Sequence, residues 1–134
     1  SENPLPSDSL TIKDMKVNGH TLTFDGRLTM GFNVTGGILS AFTGQRCDKV
    51  EIDGKTYKFA DGKLANIAFG PVNGNLKHYQ LMAVGQPKVN IPVNAKKAEV
   101  KCGKTTVPAS VANGTLTIDL GKDFQNKTID IKLK

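Results

Sequence analysis

The sequence predicts an all-β domain, an antiparallel two-sheet β-sandwich of the immunoglobulin-like or jelly-roll kind, and three observations predict it. Apolar residues alternate with Thr, Lys, Asp and Asn along nearly the whole chain, no window carries an i, i+3, i+4, i+7 stripe, and six Asn-Gly or Asp-Gly dipeptides punctuate the alternation. Half-buried alternation belongs to antiparallel strands with one wet face. Asn-Gly and Asp-Gly supply the two positive φ angles of a two-residue hairpin turn, so the strands are short and joined locally. Turn signals at roughly this density favour a sandwich or barrel over an open sheet.

In chain order, Asn18-Gly19 turns into a strand carrying Leu22 and Phe24, and Asp25-Gly26 is read as the next turn, before Leu28, Met30 and Phe32. Val50 and Ile52 lead into Asp53-Gly54, and Tyr57 and Phe59 leave it toward Asp61-Gly62. After Leu64 the apolar face passes to Ile67 and Phe69, a phase break that predicts a bulge near Asn66. Residues 69–80, FGPVNGNLKHYQ, hold Asn73-Gly74 with one histidine and one tyrosine, and read as the irregular loop that offers the best candidate site. Val89, Ile91 and Val93 form a strand that Pro92 places at an edge or bulge, with Lys96 and Lys97 to guard it. Asn113-Gly114 precedes Leu116, Ile118 and Leu120, and the last strand carries Ile129, Ile131 and Leu133.

One phrase recurs three times: MKVNGHTLTF at 15–24, VEIDGKTYKF at 50–59 and VKCGKTTV at 100–107. Each reads as strand, tight turn, strand, and each is followed by a second glycine with a leucine two residues on, suggesting three comparable three-stranded units. The spacing between the paired glycines drifts through 7, 8 and 11 residues, so shared hairpin chemistry explains the repetition better than a fixed-period solenoid.

At 134 residues the chain suits one core. Residues 1–9, with two prolines, two acids and three serines, read as a linker or mature N-terminus, leaving 10–134 for the sandwich domain. No run is long and apolar enough to span a membrane, and no leader pattern is present. Cys47 and Cys102 lie 55 positions apart, outside any metal-ligand spacing. They are either a disulfide or two buried thiols. A bridge would close a loop worth about 4 kcal/mol in the chain-entropy model and imply an oxidising compartment. Asn33, Asn113 and Asn126 begin Asn-x-Thr triplets, a number that residue frequencies nearly supply by chance.

Catalytic ingredients are sparse. His20 and His78 are the two histidines, and no nucleophile elbow, phosphate loop or zinc-protease motif occurs. His20 reads as an exposed turn residue. Asp48, Glu51 and Asp53 cluster near a turn, but a two-carboxylate hydrolase also needs a cleft for the sugar. The chain therefore reads as non-catalytic, without cofactor or metal. The net charge of +6 raises nucleic acid or acidic polysaccharide as partners. Scattered lysines, two arginines and 6% aromatic residues argue against nucleic acid.

CDKVEIDGKTYKF at 47–59, AEVKCGKT at 98–105, GTLTIDL at 114–120 and the ending TIDIKLK resemble the small immunoglobulin-like or jelly-roll modules appended to secreted bacterial glycan-degrading enzymes. The resemblance covers residues 45–134. It implies a carbohydrate-binding or surface accessory module beside a catalytic domain of a larger chain, in a secreted, periplasmic or cell-surface protein. A structural spacer or self-assembling subunit without a small ligand is the alternative. For glycan binding the candidate residues are Asn73, Asn75, Lys77, His78, Tyr79 and Gln80. Tyr79 would stack on a ring, the amides would bond hydroxyls, and Lys77 would reach a carboxylate or sulfate on an acidic sugar. A binder should leave Tyr79 and its polar neighbours exposed and converging.

Overall fold

The computed structural model describes the backbone of residues 10–134, and every side chain in that range except those of Leu10 and residues 28–30. The expected linker at 1–9, and the expected inward faces of Leu28 and Met30, lie outside the described residues. Within them the regular structure is all strand: β1 (Leu10–Val17), β2 (His20–Thr35), β3 (Ile38–Cys47), β4 (Lys49–Ile52), β5 (Lys55–Lys58), β6 (Leu64–Val72), β7 (Asn75–Val84), β8 (Lys88–Pro92), β9 (Ala98–Cys102), β10 (Thr105–Thr106), β11 (Ala109–Ala112), β12 (Thr115–Asp119) and β13 (Ile129–Leu133). No helix of the described residues is long and apolar enough to cross a membrane.

The strands form two antiparallel sheets, a β-sandwich with one large and one small sheet. The large sheet runs β10-β9-β13-β7-β6-β3-β2-β4-β5, with β1 on β2, and the small one runs β11-β12-β8. Four of the six dipeptides behave as read: Asn18, Asp53, Asn73 and Asn113 all have φ near +50° and are followed by a glycine at positive φ. Asp25-Gly26 does not. It lies inside β2, whose N-terminal half pairs with β1 and β4 while its C-terminal half pairs with β3. Gly26 is a glycine for packing: a Cβ there would sit 2.8 Å from Gln45 O and 2.9 Å from Cys47 Cβ. Asp61-Gly62 occupies a bend between β5 and β6.

The three similar phrases do form three hairpins, β1–β2, β4–β5 and β9–β10. The three-stranded units do not form, because β6 leaves β5 and pairs with β3 and β7 instead. The ladder of β6 passes Asn66 without a register shift, so the predicted bulge is absent although Leu64, Ile67 and Phe69 are all buried. At the far side the chain crosses between sheets at residues 107–108. Val107 N–H donates to Val100 O in the large sheet, and Pro108 O accepts from Asp119 N–H in the small one, both at 2.9 Å. A further bond, Asn90 N–H to Phe59 O at 2.7 Å, ties β8 to the chain leaving β5.

The buried side chains form one cluster between the sheets. Its spine is a run of rings, with centroids 5.6 Å apart for Phe24–Phe42, 4.8 Å for Phe42–Phe59 and 5.9 Å for Phe59–Phe69. Such offset and edge-to-face pairs each add about 0.5–1.5 kcal/mol beyond the area they bury. Gly44 makes room for them, since a Cβ there would lie 2.7 Å from a Phe42 ring carbon. Leu116 and Ile118 from the small sheet meet this cluster with Tyr79, Leu81, Ile129 and Ile131 from the large one.

Of the two alternatives left open for Cys47 and Cys102, the structure has free thiols, Cys47 buried and Cys102 half-buried. Cys47 lies on β3 and Cys102 on β9, with β13, β7 and β6 between them. At about 4.8 Å per strand the path along the sheet is roughly 19 Å, against a Cα separation of about 7 Å at most for a disulfide. Burial pushes the Cys47 thiol up to about 12, so it stays protonated.

Candidate binding cleft

Residues 69–80 are a regular hairpin and not the irregular loop read from the sequence. Phe69, Gly70 and Pro71 pair with Leu81, Gln80 and Tyr79, and the single shift follows Pro71, which has no N–H to give the ladder. A strand sends successive side chains to opposite faces, and that period of two divides the six candidate residues.

Lys77 and Tyr79 point one way. Tyr79 is only 2% exposed and belongs to the core, so it is not the exposed platform expected of it, and burial raises its phenol above the ordinary range. His78 and Gln80 point the other way. His78 Nε2 lies 2.6 Å from Asp130 Oδ1 on β13. Gln80 and Asn73 line a shallow groove of about 530 Å³ on the outer face of β3, β6 and β7, together with Thr43, Ala68, Gly70 and Met82. Asn75 is occupied locally, its Oδ1 accepting from Lys77 N–H at 2.9 Å, which shapes the start of β7. Asn73 holds the turn at φ +53°. The six residues do not converge.

Two of them meet other partners instead. Lys77 and Tyr79 line a cleft of about 470 Å³ with Thr35, Gly36, Ile38, Leu76, Val93 and Asn94. It opens at the end of the sandwich where the β2–β3 turn, the start of β7 and the chain leaving β8 come together. The large sheet supplies one wall, and the chain leaving β8 supplies the other through Val93 and Asn94. Val93 is fixed by its N–H bond to Gly114 O at 2.9 Å, and Thr35 Oγ1 lies 2.9 Å from the buried Ser40 Oγ. The lining combines apolar surface from Ile38, Leu76, Tyr79 and Val93 with polar groups on Thr35, Lys77 and Asn94, and the volume is that of a small-molecule pocket.

Thr35, Ile38, Val93 and Asn94 carry no motif and come from two segments, the β2–β3 turn and the chain leaving β8, so only topology brings them to Lys77 and Tyr79. Leu76 did leave a trace: it is 44% exposed, an apolar residue out of phase beside Lys77.

His20 is more engaged than an exposed turn residue. Its Nδ1 lies 2.6 Å from Asp53 Oδ2, while Asp53 Oδ1 accepts from Thr21 N–H at 2.9 Å, so the β1–β2 and β4–β5 tips are tied together. The His20 bond, then that from Thr21 N–H, hold the Asp53 carboxyl below its ordinary value. Asp53 is thus committed to structure and does not pair with Asp48 or Glu51. Among the described residues no three His, Cys, Asp or Glu side chains gather as a metal site. Searches of known protein families, curated proteins and solved structures find no match to this chain.

Proposed function

We propose that this domain is a non-catalytic carbohydrate-binding accessory module of a secreted, periplasmic or cell-surface protein, and that it takes its sugar in the end cleft. The observation that carries the reading is the convergence, from the large sheet and the chain leaving β8, of four apolar side chains and three hydrogen-bonding ones on one cleft. A sugar ring offers alternating C–H faces and hydroxyl edges, and that is the chemistry such a lining meets. Without Trp, and with Tyr79 in the core, ring contact falls to Leu76, Ile38 and the edge of Tyr79. The affinity of a lone module should accordingly be weak, in the range of about 0.1–1 mM.

A glycan array tests this with Leu76→Ala and Asn94→Ala as cleft variants and Gln80→Ala as an outer-face control. Both cleft positions are exposed, so their substitution leaves the core intact, whereas Tyr79→Ala would open a core cavity costing about 3 kcal/mol or more. The reading expects signals from the parent protein and from Gln80→Ala that the cleft variants lose. Silence across the array moves the assignment to the second reading, a spacer or self-assembling subunit. That reading draws on the outer edge of β1, which has no strand partner among the described residues. The edge is guarded by a bulge at Asp14, where φ is +51°, and by Lys13 and Lys16.

A further inference from the structure

The charge of the cleft carries the reading one step further. Lys77 is the one charged residue among those lining it, and no carboxylate is among them. Thr35 and Asn94 are neutral and can bond hydroxyls of any sugar, so they do not discriminate by charge. Lys77 is exposed and forms no ion pair among the described residues. Asp130 on β13, beside β7, is already engaged with His78 at 2.6 Å, and Glu99 on β9, one strand further out, with Lys101 at 3.5 Å. Asn94 is followed within three residues by Lys96 and Lys97, both exposed, their N–H groups held toward Lys134 O at 3.3 and 3.4 Å. The whole chain carries +6. A lysine in the lining with no acid there to compensate it favours an anion over a neutral or cationic guest.

We infer that the cleft selects an anionic sugar, one bearing a carboxylate or sulfate that Lys77 Nζ meets, with Asn94 and Thr35 on the neighbouring hydroxyls. The inference rests on the carbohydrate-binding reading above. Lys77 is the specificity-determining residue. Its ammonium contributes charge without fork geometry, so it accepts either anion.

The test is a titration with three disaccharides identical except at the terminal residue: glucose, glucuronate and glucose 6-sulfate. Parent protein and Lys77→Met, which keeps the length of the stem and removes the charge, are compared at 0.01 and 0.1 M salt. The inference expects at least one anionic disaccharide to bind the parent about tenfold more tightly than the neutral one at 0.1 M salt. The preference should widen at 0.01 M, where the screening length grows from about 10 to about 30 Å. It should vanish in Lys77→Met, which should bind the three disaccharides with equal affinity. Which anion shows the preference separates uronates from sulfated sugars. Equal binding of all three, or a preference that survives Lys77→Met, overturns the charge selection and leaves the carbohydrate reading standing. Binding of none overturns both.

Discussion

The ring spine leaves no room at Gly44, and this gives a sharp prediction for a double-mutant cycle. Gly44 does not adopt a left-handed φ, so alanine there meets no backbone strain, and on unfolded-chain entropy alone it would stabilise by about 0.4–1 kcal/mol. The added Cβ, however, would stand 2.7 and 3.0 Å from two Phe42 ring carbons and 3.3 Å from Phe24 Cζ. Overpacking of this kind costs about 1–3 kcal/mol, so Gly44→Ala should destabilise by about 1–2 kcal/mol net. Phe42→Leu deletes the ring atoms that collide and costs about 1–2 kcal/mol for the space it leaves. In the double variant the collision is gone, and it should be no less stable than Phe42→Leu alone. The coupling energy is then about 2 kcal/mol in the relieving direction. Urea unfolding with unchanged m-values measures all four proteins. Gly85→Ala is the control, because the atoms its Cβ would meet are backbone atoms of Leu64 and Ala65 and not the Phe42 or Phe24 ring. Strict additivity for Gly44 and Phe42 would refute the packing argument.

Two further outcomes follow from the tied hairpin tips and the thiols. Asp53 has its carboxyl pKa lowered by His20 and Thr21, so its contribution is present above the ordinary value of 3.8 and is lost as pH falls through the lowered one. Asp53→Asn should therefore be less stable than the parent at pH 7 and converge with it at strongly acidic pH, as thermal unfolding across pH would show; a gap that persists in acid contradicts the linkage. With Cys47 fully buried and its thiol raised to about 12, a chromogenic disulfide reagent at pH 8 should leave Cys47 unmodified in the folded protein and titrate two thiols in urea. Finding no thiols in non-reducing urea would restore the bridge.

Alternation and turn chemistry made the strand composition legible, because both signals are local. Asn18, Asp53, Asn73 and Asn113 sit in turns whose φ angles their own side chains and the following glycines favour. Asp25-Gly26 is the same dipeptide under a different constraint: there the glycine answers to Gln45 and Cys47, residues remote in sequence, and the strand runs straight through. The strand Ile38–Cys47 carried little signal, since Ser40 is buried against Asn33 O and Arg46 sits at φ +54°, each breaking the period of two. The candidate site was legible only in part for the same reason. Reading 69–80 as a loop let six residues converge, whereas the strand they form assigns Lys77 and Tyr79 to one face and His78 and Gln80 to the other. What completes the cleft, Thr35, Ile38, Val93 and Asn94, is set by the packing of two sheets, and no stretch of sequence contains that.

The most direct test of the binding cleft is to follow backbone amide resonances while titrating the glucuronate-terminated disaccharide. Binding in the cleft predicts saturable shifts clustered at Thr35, Gly36, Leu76, Lys77 and Asn94, with Asn73, Gln80 and Met82 on the outer face unmoved. Shifts confined to the outer groove, or none at millimolar sugar, would contradict it.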